Sequence, residues 1–197
     1  MKREDLDELH YITAISNMPS IWRNGILSHK RASKYQHVSI ASGEIQERRA
    51  RKIIPGGRAL HEYVNLYFCA RNPMLYLRRS QHTGLCVLRI GLSVLDLPGV
   101  VITDRNAASD WVRFFPSPEG LTSVNGELVF AEYWTHPEDL FTEWEHKSIK
   151  CAEVLVPDRV DPSYLLGVYV SCEEAKINFE ATGVPLTLEI NPYLFFQ

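Results

Sequence analysis

The sequence has no run of about 18 apolar residues, the length a membrane-spanning helix needs. Its first segment, Met1-Lys2-Arg3-Glu4-Asp5-Leu6-Asp7-Glu8, is charged and lacks the apolar centre of an export signal. A soluble, unexported, cytoplasmic chain without membrane contact is expected. The four cysteines (Cys69, Cys86, Cys151, Cys172) form no CxxC pair and lie in apolar stretches such as Leu85-Cys86-Val87-Leu88. That pattern fits buried free thiols in a reducing compartment and not a disulfide framework. The seven histidines show no HxxxH or mixed His/Cys ligand spacing, so no metal site is expected. GxGxxG and Walker A runs are missing, and Gly56-Gly57 is too short to cradle a phosphate alone. The absence of GxSxG removes the nucleophile elbow of the serine hydrolases. Without repeats, low-complexity tracts or a linker, the 197 residues read as one domain, 1–197.

What is present is an uneven charge distribution. The net charge of −3 argues at first against a polyanion partner. Residues 1–100, however, carry 15 Lys and Arg against 8 Asp and Glu, while residues 101–197 carry 6 against 16. A local basic surface on an acidic chain is therefore available.

Leu9 to Ile12, Tyr63 to Cys69, Leu85 to Ile90, Val100 to Thr103, Cys151 to Val156, Leu166 to Val170 and Leu186 to Ile190 read as strands. Helices are expected after Ser16-Asn17, ending at Gly25, over the basic run Ile45–Lys52, after Asn72-Pro73, and from Glu173 to Ala181. Asp104 is a candidate cap for a helix carrying Ala107, Ala108, Trp111 and Phe114. Residues 130–150 read as mostly irregular, with one short helix near Pro137–Trp144. Strands and long helices do not alternate, so the class is α+β.

Two features could carry chemistry. Glu153 interrupts the apolar strand Cys151-Ala152-Glu153-Val154-Leu155-Val156, where an unpaired carboxylate would be costly to bury. A strand with one face in water accommodates it; so does a cleft, where a carboxylate facing a ribose could stabilise an oxocarbenium-like transition state. Arg48, Arg49, Arg51, Lys52 and Arg58, with Lys30, Arg31 and Lys34 upstream, form the second feature. They read either as a solvated helix face or as a grip for phosphates, in a dinucleotide or a nucleic acid.

The ordered set Ile45-x-x-Arg48-Arg49, Leu60-His61-Glu62-Tyr63-Val64, Tyr67-Phe68-x-x-Arg71-Asn72-Pro73-Met74-Leu75, Ile102-Thr103-Asp104 and Ala152-Glu153-x-Leu155-Val156 resembles the DarT family of DNA ADP-ribosyltransferase toxins. The resemblance implies an ADP-ribosyltransferase fold with a split, bent β core and NAD in the cleft between its two sheets. It also implies transfer of ADP-ribose to a base of single-stranded DNA, commonly thymine, and a macrodomain antitoxin, DarG, as partner; the chain is expected to be a monomer. By the same resemblance Glu153 matches the catalytic glutamate and Arg48, in preference to the adjacent Arg49, the catalytic arginine. His10, Tyr11, Ile12, Asn17, Leu27 and Arg48 match the NAD-gripping positions, and Tyr67 to Met74 the nicotinamide side. Where relatives read aromatic-His-Ile-Thr this chain reads His10-Tyr11-Ile12-Thr13, leaving His10 and Tyr11 as alternative contacts to the adenosine ribose. Residues 132–150 match the substrate-recognition loop, with Tyr133 or Trp134 available to stack an exposed base. Two rival readings remain at this stage: the same fold acting on RNA or protein, and a non-catalytic nucleic-acid binding module.

Overall fold

Short β-branched and aromatic runs punctuated by Pro, Gly and Asn become strands, as their composition dictates. A computed structural model describes residues 1–197. In chain order the strands are β1 (Leu9–Ala14), β2 (Ile26–Leu27), β3 (Tyr63–Tyr67), β4 (Leu85–Ile90), β5 (Val101–Thr103), β6 (Phe114–Pro116), β7 (Glu153–Pro157), β8 (Arg159–Val160), β9 (Leu165–Val170) and β10 (Leu188–Ile190). The helices are α1 (Met18–Asn24), α2 (His29–Ala32), α3 (Gly43–Ala50), α4 (Pro73–Leu77), α5 (Gly126–Phe130), α6 (Leu140–Ile149) and α7 (Glu173–Glu180). None is long and apolar enough to cross a membrane.

Eight strands form one mixed sheet in the order β10-β9-β4-β1-β3-β7-β5-β6, and β2 pairs with β8 separately. Only β10 and β9 run parallel; every other pairing is antiparallel. The junction between β1 and β3 is unusual, since it rests on the single pair His10↔Tyr67, whereas β1 and β4 are in register over six pairs. Beyond that pair β1 and β3 diverge, so the split core consists of two halves hinged at one residue pair. One register row, Gly167, Arg89, His10, Tyr67 and Glu153, still crosses five strands.

Alternation sends Leu9, Leu88 and Val154 to one face, where α7 closes the larger core with Ala175 and Phe179. Ile12, Tyr67, Val87 and Leu75 pack with Phe195 on the other. Gly25 ends α1 with φ +79°, and an added Cβ would lie 2.3 Å from the Val160 carbonyl oxygen. Only glycine permits the β2–β8 approach there.

Two expectations are corrected. Asp104 caps no helix: its carboxylate instead accepts from the Arg113 backbone N–H at 2.9 Å and from Nε at 3.0 Å, and Phe114 enters β6. The Ala107 N–H, which a capping Asp104 carboxylate would take, is spent on the Glu153 carboxylate. Residues 130–150 are also more regular than their sequence reads. Asp139 caps α6 by accepting from Phe141 N and Thr142 N at 2.9 and 3.1 Å, and the helix continues to Ile149. Its apolar residues Leu140, Phe141 and Trp144 face outward, which hides its periodicity.

Candidate active site

The divergence of β1 and β3 opens a cleft of about 1160 Å³, at the upper end of small-molecule sites and roomy enough for a dinucleotide. Tyr11, Ile12 and Thr13 of β1 line one wall, and Tyr63, Asn65 and Tyr67 of β3 the other. Helix α3 covers the opening. Its inward residues are Ile45, Gln46 and Arg49, one helical turn apart, while Glu44, Glu47 and Arg48 face solvent.

Beneath Arg49 sits Glu153, the first residue of β7 and 0% exposed. Arg49 Nη1 donates to both carboxylate oxygens at 3.0 Å, and the Ala107 N–H donates to Oε1 at 3.1 Å. The Glu153 backbone is fixed as well, its N–H donating to Thr103 Oγ1 at 2.9 Å. A carboxylate has about four lone-pair sites, so these donors leave capacity on Oε2 for one further hydroxyl. Tyr67, directly opposite in the ladder, has its phenol pushed well up by burial and by the charge of Glu153, and remains a hydroxyl.

Of the residues matched by resemblance, Tyr11, Ile12, Asn17, Leu27 and Arg48 line this cleft. Asn17 ties down the strap above it: its Nδ2 donates to the Val38 carbonyl at 2.8 Å and its Oδ1 accepts from the Val38 N–H at 2.9 Å. Arg48 is half exposed and faces Asp110 at 3.5 Å across the rim, an exposed pair of little energetic weight. His10 is the correction. It lies in a second cavity with Glu8, Arg89 and Tyr169, its ring 3.3 Å from the Glu8 carboxylate, and not among the residues that line the cleft. Between the two alternatives for the ribose contact, only Tyr11 is in the cleft. Trp134 is also unavailable to a base, since it is buried against Tyr76 and Phe196. The aromatics that do stand at the cleft rim are Trp111, Phe141 and Trp144, 81%, 75% and 74% exposed.

Sequence reasoning missed the Arg49–Glu153 pair and this rim. The spacing of Ile45 and Arg49, four apart on one helix, was the available signal for the first. For the rim there was none, because an exposed aromatic cannot be told from a core one by pattern. No group of three or more His, Cys, Asp or Glu side chains is arranged to hold a metal ion. All four cysteines are free, Cys86 and Cys151 buried, with burial pushing the Cys151 thiol up to about 12.

Two groups make the fold sensitive to acid. Burial, with His29 and Arg49 nearby, pushes His61 from 6.5 down to about 4. The unfolded imidazole thus binds a proton that the folded one refuses, and stability falls as pH drops from about 6.5 to about 4. Burial alone would raise the Glu8 carboxyl, but hydrogen bonds from His10, Arg89 and Tyr169 outweigh it and hold it at about 2, against 4.5 when free. Its contribution is complete above about 4.5 and is lost as pH falls toward 2. Urea unfolding at stepped pH is expected to show both losses. His61→Gln should flatten the first of them, and an unchanged slope there would contradict the assignment.

The chain is similar to known proteins over nearly its whole length. The family model described as DarT, ssDNA thymidine ADP-ribosyltransferase, matches residues 10–196. A DNA ADP-ribosyl transferase from a Thermus strain is 36% identical over 144 residues, covering 67% of this chain and 68% of that protein. A DNA ADP-ribosyl transferase–DNA ADP-ribosyl glycohydrolase fusion protein of Thermosipho africanus is 33% identical over 181 residues, 88% of this chain and 45% of that one. The chain thus spans a little under half the length of that relative. Among solved structures, Thermus sp. 2.9 DarT in complex with ADP-ribosylated ssDNA superposes with a TM-score of 0.81 at 28% identity, covering 99% of this chain and 100% of that one. The same protein in complex with carba-NAD+ gives 0.75 at 26% identity, covering 95% and 96%. The fold is that of the solved DarT ADP-ribosyltransferase structures. The chain belongs to the DarT family of ssDNA thymidine ADP-ribosyltransferases.

Proposed function

We propose that this chain, as a single domain, transfers ADP-ribose from NAD to a ring nitrogen of a base, thymine by family, in single-stranded DNA, in a sequence-dependent way and with release of nicotinamide. The observation that carries the reading is a fully buried glutamate at the one-pair hinge of a split sheet, held by Arg49 under a dinucleotide-sized cleft. The cleft residues fit NAD: cationic Arg78 lines it for a pyrophosphate, with Arg105 beside it in ion pairs to Asp104 and Glu145, and Tyr67, Pro73 and Met74 can pack on an aromatic ring. NAD supplies the ADP-ribosyl group and nicotinamide as its leaving group.

In this reading Glu153 accepts the hydrogen bond of the ribose hydroxyl beside the reacting carbon and stabilises the positive charge that develops there. Because Glu153 has no solvent contact, the hydroxyl reaches Oε2 only when the α3 face carrying Arg49 shifts. Arg49 then serves as a positioning residue, committed to the carboxylate. Arg48, tied only to exposed Asp110, faces the acceptor base and electrostatically favours its deprotonated form, the ring-nitrogen proton leaving to solvent water as the bond to the ribose carbon forms. Single-stranded DNA follows from access, since pairing hides the imide edge in a duplex. Trp111, Phe141 and Trp144 offer stacking surfaces for the neighbouring bases. A DNA ADP-ribosyl glycohydrolase is the proposed antagonist and antitoxin, an activity that the Thermosipho relative's name puts in one chain with its transferase. The protein is proposed to act in the cytoplasm as a monomer.

The division between the arginines is tested by following NAD cleavage and oligonucleotide labelling separately. Arg48→Ala is expected to lower labelling about a hundredfold, the scale of losing one electrostatic stabiliser, while NAD cleavage without DNA persists. Parallel loss of both would assign Arg48 to the cleavage step. RNA labelled in preference to DNA would overturn the acceptor.

A further inference from the structure

The segment from Asn191 to Gln197 lies outside the cleft, yet it touches both the cleft floor and the segment read as the DNA-recognition loop. Asn191 caps its turn, the side-chain oxygen accepting from Leu194 N at 3.1 Å. Phe195, fully buried, belongs to the same packed cluster as Ile12, Tyr67 and Leu75. Phe196 follows with φ 64°, a left-handed conformation that a bulky residue adopts only where its surroundings enforce it.

What enforces it is an aromatic cage. The Phe196 ring stands edge-on to Tyr76 and to Trp134, with centroids 5.1 and 5.8 Å away, and Tyr76 and Trp134 are themselves edge-on at 5.9 Å. The Arg71 guanidinium lies between two rings, 4.0 Å from Phe196 and 4.2 Å from Tyr193. On Trp134's other side the Lys150 ammonium sits 5.6 Å from the ring centroid and donates to the Val129 carbonyl at 2.9 Å. Trp134 and Lys150 bracket the 132–150 segment, so its two ends meet at one point and Phe196 closes that point.

Within the bracket the segment is braced as a unit. His146 Nε2 donates to the Leu128 carbonyl at 3.0 Å, which makes Nδ1 the acceptor and His136 Nε2 its donor at 2.9 Å. The brace fixes the helix that presents Phe141 and Trp144 to the cleft.

We propose that Phe196 is a positioning residue for acceptor binding: by clamping Trp134 it sets where the 132–150 segment holds the single strand, without taking part in NAD cleavage. The inference rests on the functional reading above for the identity of the acceptor. Arg71 and Tyr193 support the ring, and the loss of either is expected to act in the same direction more weakly.

The experiment uses Phe196→Gly, which removes the ring and suits the left-handed backbone, with Phe196→Tyr as the conservative control. Oligonucleotide affinity is read by fluorescence anisotropy, and NAD cleavage is followed without DNA. Phe196→Gly is expected to weaken oligonucleotide binding about tenfold, the scale of one base–aromatic stack, with the kcat and KM of NAD cleavage unchanged. Phe196→Tyr restores binding, and Trp134→Leu combined with Phe196→Gly weakens it no further than either alone. Unchanged oligonucleotide affinity in Phe196→Gly would overturn the proposal. So would a parallel fall in NAD cleavage, the mark of a merely structural role. A wild-type protein that binds the oligonucleotide but never labels it refutes the transferase reading and leaves the clamp to be judged by the affinity ratio.

Discussion

Glu153→Gln is expected to lower ADP-ribose transfer and NAD cleavage together by about three orders of magnitude, close to 4 kcal/mol of transition-state stabilisation. The substitution preserves volume and can still accept from Ala107, so the chain should remain folded. In the proposed reaction, what it removes is the negative charge next to the carbon that becomes positive as nicotinamide leaves. Both substitutions remove the counter-charge of Arg49, but Glu153→Ala is the poorer probe, because it also removes both acceptor oxygens, whereas Gln keeps one. A Glu153→Gln protein within tenfold of wild type would show that the carboxylate charge has no part in the step.

Arg49→Met carries the second large effect, this time on stability. Removing one member of a buried ion pair strands the other, at a cost of roughly 3–5 kcal/mol. Glu153 is 0% exposed and Arg49 nearly so, which puts this pair in the buried class. Breaking the exposed bridges of Arg48 with Asp110 and of Arg31 and Arg58 with Asp158 should change stability little by comparison. Combining Arg49→Met with Glu153→Gln should recover most of the lost stability, since no unpaired charge then remains. Guanidinium unfolding of the two singles and the double resolves this: additive losses would mean that the pair is not the coupled unit its geometry describes.

Much of the fold was legible because strand composition and capping are local properties. The Asn72-Pro73 turn before α4 and the limits of α1 and α7 follow from residues adjacent in sequence. The failures share one cause, a tertiary partner overriding local preference. Ala107 gives its N–H to Glu153, 46 residues away, and the expected helix at Asp104 does not form. Helix α6 hid because its aromatic face is turned to the cleft and solvent, the reverse of the pattern by which helices are recognised. In the site, Glu153 was conspicuous as a lone carboxylate among apolar residues. The neighbouring arginines differ in placement through the phase of α3, which turns Arg49 inward and Arg48 out. His10 and Tyr11 differ through their tertiary neighbours: Tyr11 lines the cleft, while His10 pairs with Glu8.

The charge asymmetry gains a physical meaning from this arrangement. The basic half supplies β1, α3 and β3, the walls and cover of the cleft, while the acidic half supplies Glu153 and much of the remaining surface. A local positive cleft on a net acidic protein favours one threaded strand over indiscriminate coating of duplex DNA.

The central claim is transfer of ADP-ribose to a base of single-stranded DNA, and intact-mass analysis of oligonucleotides incubated with the protein and NAD tests it most directly. Thymine-containing single strands should gain the mass of one ADP-ribosyl group on the base. Their duplexes and the Glu153→Gln reactions should gain none. Nicotinamide release without any mass gain on DNA, or equal modification of duplex and single strand, would contradict it.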